Sequence, residues 1–103
     1  MGSLSRDRIL EIVYASVGEF NQRLGPEARL PLEAETLLYG ADGPLDSLQL
    51  VQLIVATEQR IEDELGVSLT LADERALARK SSPFRSVGTL VDYVGERLEG
   101  EAK

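Results

Sequence analysis

The chain has no cysteine, no histidine and no tryptophan in 103 residues, and only 5% of its residues are aromatic. Without a thiolate or an imidazole it carries no thiol nucleophile, no histidine base and neither of the usual zinc ligands, which argues against self-contained hydrolytic chemistry and against a metal-stapled fold. Disulfides are excluded outright. With so few aromatics, a core must be assembled from Leu, Val and Ile, and the 43% of apolar residues is enough for one modest core in a single domain spanning 1–103. No apolar run approaches the length of a membrane span, and the start shows no charged-then-apolar signal pattern. Met1-Gly2 opens the chain, but Arg6 stands where a myristoylation motif wants Ser or Thr. A soluble, cytoplasmic and monomeric protein is expected. Internal repeats and low-complexity tracts are missing as well.

Basic residues are also in short supply. Eleven Lys and Arg stand against eighteen Asp and Glu, a net charge of -7, which repels nucleic-acid backbones and anionic lipid surfaces. The complementary partner is a protein with a basic patch. Asp42-Gly43 does not begin a calcium loop, because alternating oxygen ligands and a distal Glu are lacking and Pro44 stands where the series would continue. The glycines fit neither a phosphate loop nor a dinucleotide fingerprint.

What is present is helical periodicity. Ser5 is placed to cap a helix to about Leu24, with Ile9, Ile12, Val13, Val17 and Phe20 on one face and Gly25-Pro26 as its stop. Pro26, Pro31, Gly40, Gly43 and Pro44 make the stretch up to Leu45 a long loop, with a short helical turn around Leu32 to Leu38. Leu30, Leu32, Leu37, Leu38 and Tyr39 are its candidate pins to the core. A second helix runs from about Asp46 to Leu65 and carries two apolar stripes. Leu50, Leu53, Ile54, Thr57, Ile61 and Leu65 should face the core, while Leu48, Val51 and Val55 group with Gln52, Glu58, Gln59 and Glu62 on the other side. That outer group is either a docking surface or ordinary scattered surface.

Gly66 should end the second helix, and Val67-Ser68-Leu69-Thr70-Leu71 alternates as an extended segment does. A short third helix is expected at Asp73 to Lys80, with acids in its first turn and bases in its last. Ser81-Ser82-Pro83 breaks it and Phe84 offers an apolar plug. Ser86 then caps a final helix whose buried stripe is Val87, Leu90, Val91, Val94 and Leu98. A polar tail at 99–103 and residues 1–4 are expected to be flexible. The fold class is therefore all-α, a bundle of three main helices plus one short helix, with no sheet. Phe20, Ile54, Ile61, Phe84, Val87 and Val91 should be among its buried residues.

The most informative residues are Leu45-Asp46-Ser47-Leu48-Gln49-Leu50-Val51, which place one serine hydroxyl at the mouth of the amphipathic second helix. Asp or Ser before an apolar run is commonly just a cap. The same helix end also favours an anionic group such as a phosphodiester, through its unpaired N–H groups and positive dipole end. Three segments extend the pattern: this motif, then Leu50-Val51-Gln52-Leu53 through Glu58 and Ile61 to Glu62-Asp63-Glu64-Leu65-Gly66-Val67, then Ser86-Val87-Gly88-Thr89-Leu90-Val91-Asp92-Tyr93-Val94. In this order and spacing the chain resembles the acyl carrier proteins over most of its length.

That resemblance implies that Ser47 is the attachment site of a covalent 4'-phosphopantetheine donated by coenzyme A, with Asp46 as motif residue and helix cap that helps place the transferase's metal-bound cofactor. The thiol that a chain without cysteine lacks would arrive on this group. Implied partners are a phosphopantetheinyl transferase, an acyl- or aminoacyl-activating ligase and acyltransferase or synthase enzymes, meeting Leu48, Val51, Gln52, Val55, Glu58 and Glu62. Gln49 and Gln52 occupy positions that are often acidic in fatty-acid carriers, the stretch from Ala72 to Phe84 is long for the family, and peptidyl carriers more often place Gly-Gly before the serine. These departures favour a discrete, specialised acyl or aminoacyl carrier that is not itself an enzyme. The alternative is an unmodified helical adaptor that uses the same face, with Ser47 only a helix-start residue. A small serine enzyme is weaker, since no histidine or nearby lysine could activate Ser47.

Overall fold

A computed structural model of the protein describes residues 6–26, 29–40, 43–71 and 83–101. They form three helices, α1 (Arg6–Asn21), α2 (Ser47–Leu65) and α3 (Val87–Glu101). Helix α1 packs against both of the others. Its buried face is Ile9, Ile12, Val13, Ser16, Val17 and Phe20, the i, i+3, i+4 recurrence of a core-facing stripe. From α2 come Leu50, Leu53, Ile54, Thr57 and Ile61, and from α3 come Val87, Leu90, Val91, Tyr93, Val94 and Leu98. All six residues expected in the core are buried. Leu65, expected with them, is only half-buried at the end of its helix. The buried hydroxyls of Ser16 and Thr57 donate to the carbonyls of Ile12 at 3.0 Å and Leu53 at 2.9 Å, so neither needs a partner across the interface.

Ion pairs line the rim of the α1–α2 contact. The Arg60 guanidinium bridges Glu19 on α1 and Glu64 on its own helix, and Arg8 reaches Glu64 at 2.8 Å. Hydrogen bonds from Arg60 to Glu19 and then Glu64 hold its guanidinium above the ordinary arginine value.

Helix α1 stops at Asn21, three residues short of the expected end at Leu24. Past Asn21 the backbone tightens into three-residue bonds, from the N–H groups of Gln22, Arg23 and Leu24 to the carbonyls of Glu19, Phe20 and Asn21, the usual way a last turn closes. The Asn21 amide then takes both backbone groups of Leu30, accepting from its N–H at 2.8 Å and donating to its carbonyl at 2.9 Å.

The helical turn expected around 32–38 does not form. Instead Thr36 closes a turn on Glu33 and Pro31, and Leu37 to Tyr39 run extended beside Phe84 to Ser86. The N–H groups of Leu38 and Tyr39 donate to the carbonyls of Arg85 at 2.7 Å and Phe84 at 3.1 Å. The first N–H groups of a helix have no partner inside it. Here the carbonyls of Ala34 and Thr36 supply two, to Gly88 at 2.8 Å and Val87 at 2.9 Å. A helix over 32–38 would have joined the Ala34 carbonyl to the Leu38 N–H and taken both from their partners at Gly88 and Arg85, which is the physical reason for the difference. Leu30 and Leu38 pin the loop as expected, joined by Leu45, while Leu37 is half-buried and Leu32 and Tyr39 lie exposed. Gly43 is required where the loop crosses itself, because a Cβ there would stand 2.5 Å from the Leu38 carbonyl oxygen.

Gly66 ends α2 in the left-handed region at φ 70°, its N–H on the Glu62 carbonyl at 2.9 Å, as the sequence leads one to expect. Residues 67–71 belong to no helix or strand, and their burial alternates as expected, with Leu69 and Leu71 buried and Ser68 and Thr70 exposed. The short helix expected at Asp73 to Lys80 lies outside the described residues, as do residues 1–4 and the proposed cap Ser5. Ser86 caps α3 through a reciprocal pair with Thr89: its Oγ accepts from the Thr89 N–H at 3.2 Å, and its own N–H donates to Thr89 Oγ1 at 3.0 Å. Phe84 plugs the base of the bundle, edge-on to Tyr93 with ring centroids 6.1 Å apart. Helix α3 continues to Glu101, past Leu98, where a polar tail was expected. Among the described residues there is no strand, only the isolated bridges Leu37 with Ser86 and Tyr39 with Leu45.

Candidate functional site at the start of the second helix

Pro44 and Gly43 end the loop, Leu45 is buried, and its N–H donates to the Leu38 carbonyl at 3.0 Å. This anchor fixes where α2 begins. Asp46 is the N-cap, extended at φ -87° and ψ 178°. Its Oδ1 accepts from the Gln49 N–H at 2.8 Å, while Gln49 Oε1 accepts from the Asp46 N–H at 3.1 Å. This is a capping box, which locks the helix start without using Ser47.

Ser47, the first helical residue, is exposed. Among the described residues its hydroxyl engages in no hydrogen bond, and the N–H groups of Ser47 and Leu48 are likewise unspent. A free primary hydroxyl thus stands beside two outward N–H donors at the positive end of a nineteen-residue helix. Such a place suits an anionic oxygen linked to that hydroxyl. The first turn holds no acid of its own, and the carboxylate that precedes it, Asp46, has one oxygen committed to the cap.

Beyond Ser47 the outer stripe of α2 is laid out much as expected. Leu48 is 66% exposed, Val51 52% and Val55 44%, and Gln52, Gln59 and Glu62 are exposed around them. Glu58 differs from its neighbours. It is half-buried, and its Oε2 accepts from the Leu71 N–H at 2.7 Å, so it serves the fold as well as the face. Gln49, considered above only as a missing docking charge, is the return arm of the capping box. The spacing Asp46-x-x-Gln49 carried that signal in plain view. No sequence signal pointed to the Glu58 contact, which joins residues 13 apart.

A groove of about 500 Å³ opens on the far side of the α2 start, between Leu24, Leu30, Thr36, Leu37, Leu45 and Gln49. Ser47 and Gln49 diverge by roughly 200° around the helix, so the groove lies behind the serine. Among the described residues no cluster of acids could hold a metal, and no helix is long and apolar enough to cross a membrane. No protein-family model, curated protein or solved structure matches the chain.

Proposed function

We propose that the protein is a carrier, with Ser47 the attachment point of 4'-phosphopantetheine and α2 the surface that partner enzymes read. The observation that carries this reading is the exposed, unengaged Ser47 hydroxyl at the first position of α2, with Asp46 and Gln49 holding the helix start without it. A phosphodiester on Ser47 Oγ would lie against the N–H groups of Ser47 and Leu48, where the helix dipole favours negative charge. Attachment forms the bond from Ser47 Oγ to the phosphorus of the pantetheine-bearing phosphate of coenzyme A. It breaks the pyrophosphate link, releases adenosine 3',5'-bisphosphate and passes the serine proton to the transferase. When bound, the group supplies the thiol on which an acyl or aminoacyl cargo is held as a thioester.

The chain's own contribution is placement. Buried Leu45 and the capping box fix the serine, and Leu48, Val51 and Val55 offer apolar contact beside the acids of α2. A discrete carrier serving acyl or aminoacyl chemistry in the cytoplasm, and meeting an activating ligase and a synthase or acyltransferase in turn, is the form of this proposal that Gln49 and Gln52 favour. The competing reading, an unmodified helical adaptor, uses the same apolar stripe and differs only at Ser47. Incubation with coenzyme A and a broad-specificity phosphopantetheinyl transferase separates them by intact mass. The carrier gains one phosphopantetheinyl group, and Ser47→Ala gains none while keeping its helical spectrum. An adduct that persists in Ser47→Ala sinks the site, and an unmodified wild-type chain leaves the adaptor.

A further inference from the structure

The segment 67–71 leaves α2 and is held from two sides. From α3, the Tyr93 hydroxyl donates to the Leu71 carbonyl at 3.1 Å, and Arg97 Nη1 donates to the Thr70 carbonyl at 2.7 Å. Arg97 also contacts the Tyr93 hydroxyl at 3.1 Å and lies 5.9 Å from its ring centroid, so the two carbonyl donors brace each other. From α2 there is Glu58, whose Oε2 takes the N–H of Leu71. Leu71 is fully buried. Its carbonyl therefore has a donor within a braced pair, whereas its N–H depends on one carboxylate.

That carboxylate borders the outer face of α2. At 100° per residue, Glu58 stands within roughly 40° of both Val51 and Glu62, two exposed residues of the stripe. We propose that Glu58 is a latch shared by the outer face of α2 and the 67–71 segment, opened by an arginine-bearing partner that docks on that face. A guanidinium that pairs with the Glu58 carboxylate neutralises its charge and competes for its lone pairs, which weakens the bond from the Leu71 N–H. A buried N–H whose acceptor is weakened is more readily exposed to exchange. The net charge of -7 and the acids beside Val51 and Val55 draw a cationic partner to this side. The partner's approach rests on the docking surface proposed above, while the latch itself belongs to the free protein.

Amide hydrogen exchange measured residue by residue tests both parts. In the free protein Glu58→Ala should speed exchange at Leu71 by about tenfold, the factor for losing one such hydrogen bond, with Leu53 and Ile61 unchanged. Glu58→Gln keeps an acceptor oxygen and should stay near wild type. Triarginine is then titrated at low ionic strength until the α2 amide shifts saturate. It should speed Leu71 exchange in the wild type and leave Glu58→Gln unaltered. If Leu71 is as protected in Glu58→Ala as in the wild type, there is no latch. Should Glu58→Ala fail to fold, the peptide arm with Glu58→Gln decides alone. Triarginine that fails to perturb the outer α2 amides, or that saturates them without moving Leu71, overturns the opening step. Failure of phosphopantetheine transfer would instead remove the carrier reading and leave these exchange rates where they are.

Discussion

Ile61 and Val55 lie six residues apart on one helix, and truncating each to Ala should separate the two faces of α2 in energy. Ile61 is 0% exposed and Val55 is 44% exposed. Removing the Ile61 methyl and ethyl groups forfeits their transfer free energy and leaves a cavity in the core, at a cost of about 2 to 5 kcal/mol. A domain of this size is stable by about 5 to 15 kcal/mol in total. A loss near 3 kcal/mol would therefore lower the melting temperature by roughly 12 to 24 °C, at about 4 to 8 °C per kcal/mol. Val55→Ala loses little burial and gains helix propensity of up to about 0.7 kcal/mol, so it should be neutral or slightly stabilising. Urea unfolding followed by far-ultraviolet circular dichroism measures both variants. Because the chain has no tryptophan, helix content is the better signal. A loss below about half a kcal/mol for Ile61→Ala, or one no larger than that of Val55→Ala, would mean that α2 is turned the other way.

Asp46→Ala should cost about 1 kcal/mol in the same unfolding assay, since it removes one half of the capping box; Ser47→Ala, which touches no cap, should cost clearly less, and equal losses would refute the capping assignment. Gln49→Glu with Gln52→Glu should speed encounter with a basic docking enzyme at low salt, and the gain should fade as ionic strength rises. Glutamate at 49 can still close the capping box, so helix stability should hold. Val51→Asp should shorten the lifetime of the complex with the protein's own partner, because apolar burial acts mainly on dissociation. Stopped-flow binding across a salt series reads both, and unchanged kinetics in folded variants would make this face plain solvated surface.

Periodicity made the helices legible: the recurrence from Ile9 to Phe20, from Leu50 to Ile61 and from Val87 to Leu98 names most of the residues that are buried. Caps were legible too, since Asp46, Ser86 and Gly66 are residues whose chemistry acts on their own local backbone. The loop was not. Whether 32–38 coils or extends depends on the unsatisfied N–H groups of Val87 and Gly88, some 50 residues later, and no local propensity contains that information. Leu32 and Tyr39 were misjudged for the same reason: their burial is set by which way the extended segment faces after it pairs with 84–86. At the candidate site, Ser47 and its exposed neighbours follow from helical geometry, whereas Glu58 looks from the sequence like one more surface acid.

The pairing of the loop with the start of α3 also bears on how the chain is made. During synthesis α1 and α2 emerge before α3 and can meet through their buried faces. The carbonyls of Ala34 and Thr36 and the N–H groups of Leu38 and Tyr39 then wait for residues 84–88. Until those leave the ribosome these loop groups lack their native partners. Since domains generally fold as units, closure of this domain waits for the arrival of α3. A nascent chain stalled before residue 84 should therefore remain open to proteases in the 30s, and one stalled with residue 101 fully emerged should not.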